Sequence, residues 1–189
     1  VAVRDRGGTA GQGVPLLGAG VLHEGMVVTA LAYTVKLTFS GDIPVLGAPG
    51  GSTTWVKIAN VTSGLVLDSG GTVASGSNLK QWNYDGSANL QWQLVDLGNG
   101  YYRIMNRANG LAADSWGNAA NGAPARQEAW NGGNNQQWSL NSLGNNRYQI
   151  TNRGTGTALD GSGSTAVGST TVLWTPNSST NNEWIITGV

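Results

Sequence analysis

The chain has 189 residues, eight Trp, no Cys and a formal net charge of zero at pH 7. Charged residues make up 11% of it, against roughly 25% in an ordinary globular protein, whereas its 30 Gly are about twice the usual share. Low charge with many aromatic side chains excludes a disordered chain, and zero net charge gives no field that attracts phosphate backbones. The absence of Cys excludes disulfides and thiolate metal sites. We therefore expect a turn-rich, folded protein without a nucleic-acid partner.

The first 51 residues differ in composition from the rest. They contain neither Asn nor Trp, whereas the remainder contains nineteen Asn and all eight Trp. The change occurs at the Pro/Gly-rich GAPGG of 47–51, which predicts a domain boundary there. Residues 25–46 are β-prone and predict one or two strands, but 1–51 is too short to form a core of its own. It is predicted to be a β-rich extension or the remnant of a preceding domain, and its longest apolar stretch, 26–35, is too short to cross a bilayer.

From residue 52 onwards the sequence repeats with a constant period of 46 residues. Equivalent Trp, Asp, Asn, Ile and Gly residues recur at this spacing, among them Trp92, Trp138 and Trp184. Three copies, 52–97, 98–143 and 144–189, follow one another without an insertion. A fixed period of this size indicates one supersecondary unit, repeated, that needs its neighbours to bury its apolar face.

Each copy has the pattern of four short strands separated by turn residues. The copy opens with alternating β-prone residues, a second strand ends at a repeated Asp, a third follows a Gly-marked loop, and a fourth begins near the repeated Trp. About twelve strands are expected in all, and no segment has a sustained helical period. Propellers also repeat four strands but need four or more blades, so three copies favour a closed threefold arrangement.

The end of each copy carries a Q-x-W motif or a variant of it. The three versions are LQW at 90–92, QQW at 136–138 and NEW at 182–184. Together with the Asp and the aromatic residue before it, this motif resembles that of the ricin B-type β-trefoil lectins, which are also carbohydrate-binding modules of xylanases and related glycosidases. The resemblance covers 52–189 and implies a β-trefoil of three 46-residue repeats behind the N-terminal β-rich extension.

A neutral sugar presents hydroxyl groups and an apolar face of C–H groups. A site for it needs an aromatic platform with Asp, Asn or Gln side chains converging on the hydroxyls. The residues that the resemblance assigns to the first copy are Asp68, Trp82, Asp85 and Asn89. Those that it assigns to the third copy are Asp160, Trp174, Asn177 and Asn181. Asp85 and Asn177 are expected at the rim of their sites.

The second copy departs from this pattern at the platform. Its assigned polar residues are Asp114, Asn135 and Gln136. Glu128 stands where the other copies have Trp, so Trp130 or Trp116 is left to stack against the sugar, and without such a ring the site is weakened or lost. Relatives often carry a disulfide in each repeat, whereas this chain has other residues at one half-cystine position: Tyr84, Trp130 and Pro176. We expect the first and third copies to bind better than the second.

Several of these residues also have a structural interpretation. The Trp of each Q-x-W motif is expected in the core, with the Gln bonded to backbone. An Asp that follows a strand can simply cap a turn. Three further Asn residues are expected to form turns: Asn60, Asn106 and Asn152.

No catalytic residue, cofactor or metal ion is expected in 52–189. The repeated Asp residues lie in separate lobes and cannot form the facing carboxylate pair of a glycosidase. The single His of the chain, His23, lies outside the repeats and has no partners in the pattern of a triad or a metal site.

The resemblance thus implies a secreted or extracellular, non-enzymatic module that binds neutral mono-, oligo- or polysaccharides at up to three sites. Galactose- or xylose-type units are expected first. One alternative is the C-terminal part of a modular glycoside hydrolase with an upstream catalytic domain. The other is a trefoil with silent sugar sites that binds another protein.

Overall fold

The computed structural model describes residues 54–71 and 73–189, and the backbone of 27–30 and 33–36. The chain divides into two units, Val1–Gly41 and Asp42–Val189. In the first unit, β1 (Val27–Ala30) pairs antiparallel with β2 (Tyr33–Lys36). This hairpin confirms the strands expected within 25–46. The remaining expectations for 1–51, His23 among them, lie outside the described residues, and the boundary at 51 stays a prediction.

Six strands of the second unit close into a barrel. They are β3 (Val56–Asn60), β6 (Trp92–Asp96), β7 (Tyr101–Asn106), β11 (Trp138–Gly144), β12 (Arg147–Asn152) and β15 (Glu183–Gly188). Each pairs antiparallel with the next in this order, and β15 pairs with β3 to complete the ring. Each repeat contributes its first and last strand, so no repeat can form the barrel alone.

Each repeat adds a hairpin made of its second and third strands. The hairpins are β4 (Val66–Asp68) with β5 (Lys80–Trp82), β8 (Ala112–Asp114) with β10 (Arg126–Glu128), and β13 (Ala158–Asp160) with β14 (Val172–Trp174). Backbone hydrogen bonds join the three hairpins in a ring: Leu79 N donates to Ala125 O, Ala125 N to Thr171 O and Thr171 N to Leu79 O, at 2.8, 3.0 and 3.0 Å. A barrel with three such hairpins is a β-trefoil, as expected.

The second repeat contains one strand beyond the expected four. The two-residue β9 (Ala123–Pro124) pairs with β14 of the third repeat, with Leu173 opposite Ala123. Thirteen strands therefore form this sheet, against about twelve expected from the repeat pattern. In the described part of the chain, no helix is long and apolar enough to span a membrane.

The core is built around the Trp of each Q-x-W motif. Trp92, Trp138 and Trp184 are fully buried, as expected. Their indole Nε1–H groups donate to the carbonyl oxygens of Leu67, Ala113 and Leu159, at 2.9, 3.0 and 2.9 Å. Each acceptor immediately precedes the repeated Asp, so the core Trp fixes the end of the strand from which that Asp projects.

Candidate functional site

Each repeat brings its Asp against a short 3₁₀ helix that carries Asn residues. The three helices span Ala88–Leu90, Asn134–Gln136 and Thr180–Asn182. In the first repeat, Asn89 Nδ2 donates to Asp68 Oδ1 at 2.8 Å. In the second, Asn135 Nδ2 donates to both carboxylate oxygens of Asp114, at 2.8 and 2.9 Å. We call these places site one, site two and site three, after their repeats.

Site three uses a different Asn from the one expected. The carboxylate of Asp160 accepts a hydrogen bond from Asn182 Nδ2, not from Asn181. Asn182 occupies the position of Gln136 in the second repeat, and its Oδ1 also accepts the backbone N–H of Asn177 at 3.1 Å. Asn181 stays half-buried beside this pair, with its backbone N–H donated to Ser179 Oγ. The spacing of the repeats gave no sign of this exchange.

The repeated Asp residues also cap turns. Oδ1 accepts the backbone N–H two residues further on: that of Gly70, Trp116 and Ser162. All three carboxylates are almost fully buried. Burial raises the pKa of Asp160, although hydrogen bonds from Ser162 and Asn182 act in the opposite direction. The structural interpretation of the Asp is confirmed, because the carboxylate caps the turn, and it also orients an amide. Its part in sugar binding stays a prediction.

Trp82 and Trp174 project from the third strands of their hairpins. Their side chains are 42% and 40% exposed, which is unusual for so large an apolar group. They lie opposite Val66 and Ala158 in the hairpin registers. Side chains alternate between the two faces of a strand, so each Trp lies on the same hairpin face as the Asp of its repeat and offers its ring to solvent there.

A pocket of about 360 Å³ lies in site two. It is lined by Asp114, Trp116, Glu128, Asn131 and Asn135. Gln136, although assigned to the sugar by the resemblance, is fully buried, and its amide bonds the backbone of Ala129 and Asn131 at 2.9 and 2.8 Å. This bonding confirms the backbone role expected for the Gln of a Q-x-W motif.

Trp130 is engaged elsewhere in the second repeat. The guanidinium of Arg103 lies 5.3 Å from the centre of its ring, and Lys57 Nζ lies 4.7 Å from the ring of Tyr84 in the first repeat. These pairs recur at the repeat spacing and are cation–π contacts. Trp130 is not one of the five residues that line the pocket. Of the two rings left open by the sequence, the pocket therefore contains Trp116.

The rim residues close turns of the same kind. The backbone N–H groups of Ser87 and Ser179 donate to Oδ1 of Asp85 and Asn177, at 2.8 and 2.7 Å. Hydrogen bonds from Ser87 lower the pKa of Asp85, which is fully exposed. Asn131 is the equivalent residue in the second repeat, where it lines the pocket.

Three buried Asn residues hold the site loops from a neighbouring repeat. Asn106 Nδ2 donates to Asn89 O at 2.9 Å, and Asn152 Nδ2 donates to Asn135 O at 2.8 Å. Asn60 does the same for Asn181 O at 2.8 Å. Each also forms the turn expected of it, through backbone N–H groups bonded to its own Oδ1. The repeat spacing marked these residues, but only the contacts show that they support the sites.

Within 54–71 and 73–189, no three His, Asp or Glu side chains lie together in a way that could hold a metal ion. The sites instead combine carboxylate acceptors, amide groups and exposed rings. Such groups can bond several hydroxyls and cover an apolar face at the same time.

A six-stranded barrel with three hairpins, each carrying an Asp bonded to an Asn, defines a β-trefoil of the lectin type. The chain belongs to the ricin-type β-trefoil lectin domain-like family, whose model matches residues 42–128 and 129–189. A search of curated protein sequences gives no match.

Solved structures agree with this family. ThreeFoil, a designed threefold-symmetric protein, has a TM-score of 0.69 and 35% identity over 71% of this chain and 99% of its own. The exo-β-1,3-galactanase 1,3Gal43A from Clostridium thermocellum has a TM-score of 0.69 and 34% identity, over 73% of this chain but only 31% of the galactanase. A ricin B-like lectin from Macrolepiota procera, solved with lactose, has a TM-score of 0.61 and 22% identity over 74% of this chain and 98% of its own, and shares the fold.

Proposed function

We propose that residues 52–189 bind neutral carbohydrate through the three repeat sites. The observation that carries this proposal is the Asp–Asn pair of each repeat, whose Asp in sites one and three shares a hairpin face with an exposed Trp ring. A sugar hydroxyl can bond the amide while the ring covers the C–H face, and no charge on the ligand is required. The zero net charge of the chain agrees with a neutral ligand.

Galactose-type units are the first ligands to test, and xylose-type units the second. The choice of galactose is supported by the 34% identity to part of an exo-β-1,3-galactanase. The rings of Trp82 and Trp174 are exposed and the site-two pocket holds only about 360 Å³, so the affinity of a single site is expected to be weak. Polymers that engage two or three sites at once are expected to bind more tightly, because the second contact becomes intramolecular.

Isothermal titration with galactose, lactose, xylose and a soluble β-1,3-galactan tests this function. We expect binding of a galactose-containing ligand, and we expect Trp82→Ala combined with Trp174→Ala to weaken binding at sites one and three about five-fold, since stacking against a ring contributes roughly 1 kcal/mol. Leu143→Ala, which removes another exposed apolar side chain, is the control and should leave binding unchanged. Binding of none of these sugars, or binding by the double variant with both the affinity and the number of sites unchanged, would refute the proposal.

A second candidate function is the targeting of a glycoside hydrolase to its polysaccharide in a secreted or extracellular enzyme. The observation that favours it is that the matching region makes up only 31% of the galactanase. On this view the chain is retained on insoluble β-1,3-galactan but releases no reducing sugar from it. A pull-down on the polysaccharide tests the retention, and a reducing-sugar assay of the supernatant tests whether sugar is released. Release of sugar by the chain alone would contradict the non-enzymatic role.

A further inference from the structure

Three equivalent glycines lie beneath Trp rings of a neighbouring repeat. A β-carbon on Gly168 would lie 3.3 Å from the ring of Trp82, and one on Gly122 would lie 3.7 Å from the ring of Trp174. In both cases the Trp at the end of the third strand packs over a glycine of the repeat before it in the threefold ring. All three glycines have φ between +84° and +86°, so an L side chain is disfavoured there in any case.

By the same pattern, the last residue of the third strand in the second repeat, at position 128, is expected over Gly76 of the first repeat. That residue is Glu128, which has no ring. The space is taken by Trp116, whose Cη2 lies 3.3 Å from a β-carbon built on Gly76. A Trp from a different chain position thus occupies the place that the platform Trp occupies in the other two repeats.

The backbone conformation of Trp116 is unusual for an aromatic residue. Its φ is +57°, and the equivalent residues, Gly70 and Ser162, also have positive φ, +77° and +54°. A bulky aromatic residue is strongly disfavoured in this region, whereas Gly is not. The N–H of Trp116 is held by the carboxylate of Asp114. The turn imposes a positive φ in all three repeats, and only in the second does a large aromatic side chain adopt it, beside the pocket.

The ring of Trp116 is available to a ligand. It is 46% exposed, against 42% for Trp82, and it lines the site-two pocket together with Asp114 and Asn135. The guanidinium of Arg126 lies 5.0 Å from the ring centre and fixes its position by a cation–π contact. The carboxylate of Glu128 is bonded to Ser75 Oγ, across the repeat boundary, and to its neighbour's backbone N–H.

We propose that Trp116, packed over Gly76, is the aromatic platform of site two. Site two is then assembled from the first and second repeats and covers the C–H face of a neutral sugar in the pocket, although the usual platform position holds Glu128. The proposal rests on the proposed function, because it assigns a residue to one of the three sugar sites.

The test weakens sites one and three with Trp82→Ala and Trp174→Ala, so that site two is the strongest remaining site, and titrates the galactose-type ligand that the unaltered chain binds. Adding Trp116→Gly, which copies Gly70 of the first repeat, should weaken the binding at site two about five-fold. Trp130→Ala, which removes the other Trp of this region, is the matched control and should have no effect. Adding Glu128→Trp to Trp116→Gly reproduces the first repeat at both positions and should restore binding.

Gly76→Ala tests the contact beneath the ring in the same background. The new methyl group would press on the ring of Trp116, so binding should fall several-fold. Gly64→Ala is the control, because Gly64 has a similar φ of +70° but no atom within 4 Å of its added β-carbon. Gly64→Ala should lower the free energy of unfolding by an amount similar to that of Gly76→Ala, and it should leave the affinity unchanged.

The outcomes separate the two proposals. If the unaltered chain binds but the background variant does not, site two is silent and this proposal is overturned, while the proposed function stands. Loss of binding in Trp130→Ala but not in Trp116→Gly would also overturn it. If the unaltered chain binds no sugar, both proposals fail together.

Discussion

Asn152→Ala tests whether the repeats support each other's sites. Asn152 is 1% exposed and belongs to the third repeat. Its Nδ2 donates to Asn135 O at 2.8 Å, and its Oδ1 accepts Gly154 N at 3.0 Å and Ser115 Oγ at 3.1 Å. Nδ2 also donates to Gln137 O at 3.3 Å, and Oδ1 accepts Thr155 N and Thr155 Oγ1 at 3.1 and 3.3 Å. The substitution therefore removes six hydrogen bonds from a buried position next to site two.

The expected cost follows from these bonds. A buried neutral hydrogen bond contributes about 1 kcal/mol net, and the two N–H donors and two lone pairs of the amide allow four full bonds at most, so the free energy of unfolding should fall by about 3–4 kcal/mol. The carbonyl of Asn135 keeps its bond from Ser115 N, at 2.9 Å, so the site-two loop is loosened but not released. Sugar affinity at site two should therefore fall, while sites one and three keep their affinity.

Urea denaturation followed by Trp fluorescence measures the change, and an unchanged slope with urea would show that the folded state is intact. Asn118→Ala is the matched control, because Asn118 is exposed and makes one such bond, to Ala120 N at 3.0 Å. It should cost less than about 0.5 kcal/mol. Equal costs for the two variants would refute the reasoning, since they would mean that burial adds nothing to the bonds of Asn152.

Three further predictions concern the core, a close contact and the effect of pH. Trp138→Phe leaves the buried carbonyl of Ala113 without its donor and should lower the free energy of unfolding by about 2 kcal/mol in urea denaturation. Gly161→Ala places a β-carbon 2.8 Å from the side chain of Asn60 and should cost about 1–3 kcal/mol in the same assay. Because burial raises the pKa of Asp160, the native state takes up this proton before the unfolded state does. Acidification through that raised pKa should therefore favour the native state, and carboxyl NMR titration should place the midpoint above that of an ordinary Asp.

Each of these predictions has an internal comparison. Trp55→Phe changes a half-buried Trp, and Gly188→Ala adds a methyl group where no atom lies within 4 Å, so both should cost little. Asp85 should titrate below an ordinary Asp, because hydrogen bonds from Ser87 lower its pKa. Asp85 then stabilises the native state at pH values above the pKa that it has in the unfolded chain. This contribution is lost as the pH falls through its lowered pKa in the native state. Indistinguishable titrations of Asp160 and Asp85 would contradict the stated effect of burial.

The architecture was predictable because the constant period of the repeats indicates it. A constant spacing of 46 residues with a Trp at the end of each copy implies three units that share one core, and the burial of Trp92, Trp138 and Trp184 confirms it. The Asp–Asn pairs of sites one and two were predictable for the same reason, since equivalent positions in a repeat take equivalent places. The two-residue strand β9 was not, because its pairing with β14 depends on how hairpins of different repeats meet.

The details of the sites were harder to predict because they depend on contacts between repeats and on backbone conformation. Nothing in the spacing shows that Asp160 bonds Asn182 instead of Asn181, since either amide can reach a carboxylate. The sequence assigned Trp130 to site two and left Trp116 as the other possibility, because the positive φ of Trp116 and its contact with Gly76 are visible only in the structure. The sequence shows that these glycines recur at the repeat spacing, but it does not show that each lies beneath a ring from another repeat.

Indole N–H signals provide the most direct test of sugar binding at the repeat sites. The eight Trp give eight reporters in a ¹H–¹⁵N spectrum, of which those of Trp92, Trp138 and Trp184 are buried and serve as internal controls. On titration with a galactose-containing ligand, the signals of Trp82 and Trp174 should shift progressively and saturate, and the three buried signals should stay in place. The absence of any ligand-dependent shift at Trp82 and Trp174, with binding detected elsewhere or not at all, would contradict the proposed sites.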